Sequence, residues 1–157
     1  MERASPGGVG SAALRVGEWT VGALVAVNAL GDVLDAEGRV IAGARGEDGA
    51  FVDTARIMRD AAADDPLAGA NTTLAVVATD APLTRVDLAR VARVAATAMA
   101  RRISPVHTPY DGDVTFALAT GEPERALDAR LALALGVAAR DALERAIERA
   151  VRGEEGA

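Results

Sequence analysis

The chain has 157 residues, a net charge of −6 and no cysteine. One domain of this length can bury about two thirds of its unfolded surface, and the absence of cysteine excludes disulfides, thiolate catalysis and zinc–thiolate sites. Half the residues are hydrophobic but only 3% are aromatic. The core must therefore be packed from Ala and Val, and there is little with which to stack nucleic-acid bases.

Met1–Gly8 has no apolar h-region of a signal peptide. No apolar run approaches the roughly 18 residues that suggest a membrane span. These features, with the missing cysteines, fit a cytoplasmic protein that does not bind nucleic acid or membrane.

Residues 1–11 are rich in Gly, Ser and Pro and read as a loop. Residues 19–28, β-branched and apolar, read as a buried strand. A second strand is expected over 33–42, with Glu37-Gly38 as a turn within it. Residues 43–70 have little periodicity and read as a linker, with one helical turn near 55–62. Thr72–Thr79 is the clearest strand, apolar on both faces as a central strand is.

Thr84 followed by Asp87 resembles a capping box and starts a helix that runs to about Arg102. Leu88, Val91, Ala95, Ala98 and Met99 form its apolar stripe. Ser104-Pro105 ends it. Residues 106–113 form a loop, Val114–Thr120 a strand, and Ala129–Arg152 a helix with a candidate interruption at Gly136. The order β-β-linker-β-α-β-α indicates an α+β protein.

Several motifs have simple readings. Gly8-Val-Gly10-Ser-Ala-Ala13 fits a relaxed dinucleotide fingerprint, but no strand precedes it. His107 is the single histidine, and no nucleophile elbow surrounds Ser5, Ser11 or Ser104. Asp111-Gly112-Asp113 offers two carboxylates without His or Cys partners, a poor metal site and an ordinary turn.

Asn71-Thr72 is more informative, because it joins a polar linker to an apolar strand. A threonine needs an adjacent base to become a nucleophile, and one at a chain N-terminus has its own α-amine. That amine titrates near ~8 and suits general-base work. Forming it requires cleavage before Thr72. On these residues alone, a turn leading into a strand remains the simpler account.

The block Asn71–Leu83 strongly resembles the family typified by L-aminopeptidase/D-esterase, which includes β-aminopeptidases and nylon-oligomer hydrolases. Gly7–Ala12, Val21–Asp32 and Pro105–Gly121 agree with it in the same order, so the resemblance covers roughly residues 7–152. It implies a layered αββα fold and self-cleavage between Asn71 and Thr72, with Thr72 as nucleophile. Asn28 matches the family's oxyanion donor. Asp111 and Asp113 match the turn that supplies polar partners to the nucleophile and its amine.

By the same resemblance the substrate is a small peptide, amide or ester bearing an N-terminal amino acid, no metal or cofactor is needed, and the assembly is a homo-oligomer. Family members are longer, with an extra segment ahead of the residue matching Gly7. An incomplete copy of the domain is therefore expected, residues 1–157 forming one partial domain and residues 72–157 its nucleophile-bearing portion. The competing reading is a non-catalytic remnant or subunit that acts by association. A third chemistry, acyl transfer as in ornithine acetyltransferases, shares the fold but has a different nucleophile neighbourhood.

Overall fold

The computed structural model describes residues 4–60, 71–122 and 128–153. Chain order is β1 (Gly8–Val16), β2 (Trp19–Asn28), β3 (Asp32–Leu34), β4 (Val40–Ala42), α1 (Thr54–Asp60), β5 (Thr72–Thr79), α2 (Arg85–Arg102), β6 (Ile103–Ser104), β7 (Val114–Ala119) and α3 (Ala129–Arg152). Four strands form one sheet in the order β1-β2-β5-β7, and three short ones form a second in the order β4-β3-β6. The protein is α+β, with helices against sheet.

β1 and β2 form a hairpin closed by Gly17-Glu18, with Val16 opposite Trp19. β2 pairs antiparallel with β5, and β5 pairs parallel with β7. The parallel pair needs a crossover, which α2 supplies. The Thr84 hydroxyl caps α2 by accepting the Asp87 N–H and donates to the Asp87 carboxylate.

β1 overturns the loop reading of residues 8–11. Its glycines do not break the strand; they let α3 approach it. A Cβ on Gly10 would lie 2.1 Å from the Ala146 carbonyl oxygen, and one on Gly8 2.1 Å from that of Ala150. The segment 33–42 is a hairpin of two short strands, turning at the expected Glu37-Gly38. The expected helical turn is α1, whose first N–H and Thr54 hydroxyl bind the buried Asp32 carboxylate. Residues 61–70 of the proposed linker lie outside the described residues. α3 passes Gly136 without a break, and that glycine packs against Val94.

The core lies between α2, α3 and one face of the four-stranded sheet. Val21, Val25, Val27, Ala75 and Val77 meet Val91, Ala95, Met99, Leu135, Leu143 and Ile147 there. Where the helices end, Arg102 reaches Glu144 at 2.5 Å, and its Nε lies 3.0 Å from Glu148 but out of hydrogen-bond alignment. The small sheet packs against both helices at this end.

The opposite face of the large sheet is apolar and uncovered among the described residues. Val9, Leu24, Leu74, Phe116 and Leu118 are exposed on it, Val9 by 66% and Phe116 by 59%. β5 is therefore apolar on both sides, as its composition indicates, but only Thr73, Ala75, Val77 and Thr79 are buried.

Two outcomes are expected. Gly10→Ala should destabilise the chain by about 3 kcal/mol or more in urea unfolding, because the obstruction is backbone and exceeds ordinary overpacking. A loss below about 0.5 kcal/mol would mean that α3 can move away freely. The second concerns Asp35, whose carboxyl accepts the Arg39 and Glu37 N–H groups and the Arg39 guanidinium. The Arg39 N–H, chiefly, holds it below its ordinary value of 3.8. Its stabilisation is full above that value and is lost as pH falls through the lower, folded one. Asp35→Asn should flatten the acid limb of stability against pH below about 4 and leave its neutral-to-basic shape unchanged.

Candidate active site

Thr72 opens β5, and its hydroxyl donates to the Asn71 carbonyl oxygen at 2.5 Å. The hydroxyl thus lies against the peptide bond between Asn71 and Thr72. Asn71 forms a parallel bridge with Asp111, and the Gly112 N–H donates to the same Asn71 oxygen at 3.1 Å. The sheet pairing that becomes β5/β7 begins at this bond.

Asn28, the last residue of β2, is the cross-strand partner of Thr72. Directly opposed residues project from one side of a sheet. Asn28 and Thr72 therefore share the open face, two residues beyond the pair Ala26 and Leu74. Residues 28, 72 and 111–113 meet because an antiparallel strand ends where two parallel strands begin.

Asp113 enters from beneath. Its side chain is 2% exposed. One carboxylate oxygen accepts the Thr73 N–H at 2.7 Å. The other accepts the His107 N–H at 3.1 Å and lies 3.4 Å from His107 Nδ1. Asp113 therefore ties the backbone just after Thr72 to the loop before β7. His107 holds φ at 55°, a left-handed conformation uncommon outside glycine.

Asp111 has a different setting. Its carboxylate accepts the Thr108 N–H at 3.0 Å and the Thr108 hydroxyl at 2.7 Å. The Asp111 N–H returns to the Thr108 carbonyl. This carboxylate closes its own turn, while its backbone bridges to Asn71. Thr73, next to Thr72, points into the core and is fully buried. Its hydroxyl has no hydrogen-bond partner among the described residues.

Three participants escaped the sequence reading. His107 had no assigned role but braces Asp113, Thr108 anchors the turn, and Gly112 presents a backbone donor. The His107 signal was its place in a Pro-Val-His-Thr-Pro loop shortly before two aspartates. The described residues contain no group of three His, Asp or Glu side chains arranged to hold a metal, and no described helix is long and apolar enough to cross a membrane.

Removing Asp113 should strand the Thr73 N–H, at a cost of about 1–3 kcal/mol for a buried unsatisfied donor. Asp113→Ala is expected to lower the urea midpoint by more than Asp111→Ala, whose bonds lie within one surface turn. Equal losses would show that the two carboxylates brace the site alike.

Comparison with known proteins identifies the family. Residues 3–155 match Peptidase family S58. An uncharacterized aminopeptidase of Mycobacterium leprae is 40% identical over 163 residues, covering 95% of this chain and 45% of that protein. A 6-aminohexanoate-oligomer endohydrolase of an Agromyces species is 33% identical over 122 residues, covering 73% of this chain and 34% of that protein. Among solved structures, a Burkholderia β-aminopeptidase superposes with a TM-score of 0.67 at 26% identity, covering 97% of this chain and 43% of that one. The L-aminopeptidase D-Ala-esterase/amidase of Ochrobactrum anthropi, described as a variant of the Ntn-hydrolase fold, gives 0.63 at 26% identity, covering 93% and 40%. The chain spans about half the length of the mycobacterial relatives it matches, and it belongs to Peptidase family S58.

Proposed function

We propose that this chain carries the nucleophile of a self-cleaving hydrolase, cut between Asn71 and Thr72, that acts on N-terminal amino-acid amides, esters or short peptides. The observation that carries the reading is the Thr72 hydroxyl held 2.5 Å from the carbonyl oxygen of the bond before it. Attack on that carbonyl carbon releases Thr72 as a new N-terminus. Its α-amine then serves as the base that its hydroxyl otherwise lacks.

The surrounding groups suit this chemistry. Asn28, opposite Thr72, offers a neutral amide N–H to the substrate's developing oxyanion and does not titrate near neutral pH. Asp113, bonded to the Thr73 N–H, is assigned to orient the Thr72 ammonium. Asp111 keeps the turn in shape. No metal or cofactor enters the reaction. The names of the relatives, aminopeptidase and oligomer hydrolase, favour amide substrates. We further place the protein in the cytoplasm as a homo-oligomer.

A second reading has its own support. The exposed apolar face made by Val9, Leu24, Leu74, Phe116 and Leu118 is the kind of surface that marks association. On that reading the chain is a non-catalytic subunit that has kept the residues of the site.

Intact mass of the purified protein separates the two. The enzyme reading expects two fragments meeting at residues 71 and 72, whereas the subunit reading expects one full-length species in a larger assembly. Thr72→Ala should remain uncut, Thr72→Ser should cut, and Thr73→Ala should cut because Thr73 faces the core. Asn28→Ala should slow substrate hydrolysis by roughly 10²–10³ through loss of one oxyanion donor. Cleavage at the same bond in Thr72→Ala would sink the mechanism.

A further inference from the structure

We infer that the Gly112 backbone N–H is the oxyanion donor of the self-cleavage step, distinct from the Asn28 side chain that serves substrate hydrolysis. The inference rests on the proposed cut between Asn71 and Thr72 and names the group that stabilises the charge formed there. Two observations carry it. The Gly112 N–H already donates to the Asn71 carbonyl oxygen at 3.1 Å. A Cβ on residue 112 would lie 2.9 Å from Thr72 Oγ1, so glycine leaves the hydroxyl room to move.

The step balances without an outside oxidant or reductant. Thr72 Oγ1 bonds to the Asn71 carbonyl carbon, and the carbonyl π pair moves to the Asn71 oxygen. The Gly112 N–H faces that oxygen as its charge grows. The oxygen's pair then re-forms the carbonyl as the C–N bond breaks, the C–N pair passes to the Thr72 nitrogen, and that nitrogen takes up the hydroxyl proton. The product is an ester between Asn71 and Thr72 Oγ1. Water hydrolyses the ester, leaving an Asn71 carboxylate and a free Thr72 hydroxyl.

A backbone donor fits this task because the fold aims it in advance. The Asn71–Asp111 bridge and the bond from the Thr73 N–H to Asp113 hold the two segments together on both sides of the scissile bond. The donor itself does not have to reorganise as charge develops, which is where such donors have their effect. In the ground state the Thr72 hydroxyl donates to the same oxygen. To attack, it must leave that oxygen, and the Gly112 N–H stays in place.

The test replaces the Asp111–Gly112 peptide bond by an ester. Cell-free translation with tRNA charged with glycolic acid removes the N–H and adds no side chain. Fragment formation, followed by mass spectrometry, should slow by roughly 10²–10³, with the circular dichroism spectrum unchanged. Cleavage at the rate of the all-amide chain would overturn the inference while leaving self-cleavage standing. A natural chain that never cuts would overturn both. A second measurement does not depend on the ester folding. In uncut Thr72→Ala, the Gly112 amide should exchange with solvent more slowly than in the unfolded chain, and unprotected exchange would overturn the assignment.

Discussion

The site depends on the parallel pairing of β7 with β5, which begins at the bond before Thr72. Parallel strands start at the same end of a sheet. The Asp111–Asp113 turn before β7 is therefore carried to the N-terminus of β5. β2 runs antiparallel to β5, so its C-terminal residue, Asn28, arrives at the same place. Three segments far apart in sequence converge by topology. The residues with chemistry need only occupy the ends of regular strands.

That pairing is held by a core of small residues. Ala95, Ala98, Ala139, Ala142 and Ala146 are buried between α2, α3 and the sheet, and Gly8 and Gly10 bring α3 onto β1 at backbone distance. Close approach of this kind gains dispersion contacts along whole elements but leaves little room for larger side chains. The low aromatic content has its structural counterpart here. Close packing at the helix–sheet interface positions the strands, and the strands set the spacing between Asn71, Gly112 and Asp113.

Elements with a strong period were legible in the sequence. β2, β5, α2 and α3 each show an apolar run or stripe, and Thr84 marks the start of α2 by its capping chemistry. β1 was not legible, since glycines that weaken a strand locally are required here by a neighbour more than 130 residues away. β6 has two residues and exists only through its pairing with β3. In the site, Asn28, Thr72 and Asp113 could be named only as a set, through agreement of several blocks with a family. Each in isolation has an ordinary structural reading. Gly112 was invisible for a different reason: its contribution is a backbone N–H, which every residue but proline owns, and only geometry shows which one faces the Asn71 carbonyl.

The open sheet face and the site form one surface. Side chains alternate along a strand, so Thr72, Leu74 and Val76 project to one side, as do Asn28, Ala26 and Leu24 opposite them. The Thr72 hydroxyl therefore lies at the edge of an apolar field. Any polypeptide that covers Leu24, Leu74 and Phe116 also forms a wall beside Thr72, and on the proposed function its residues bear on which substrates reach the hydroxyl. The proposed self-cleavage has weaker dependence on that cover. The Thr72 hydroxyl, the Asn71 carbonyl and the Gly112 N–H all belong to the β5/β7 junction, where Asp113 is buried by this chain itself. The two reactions proposed for Thr72 thus make different demands on the fold: the cut draws on strand pairing within the chain, and turnover of substrate draws also on whatever meets the open face.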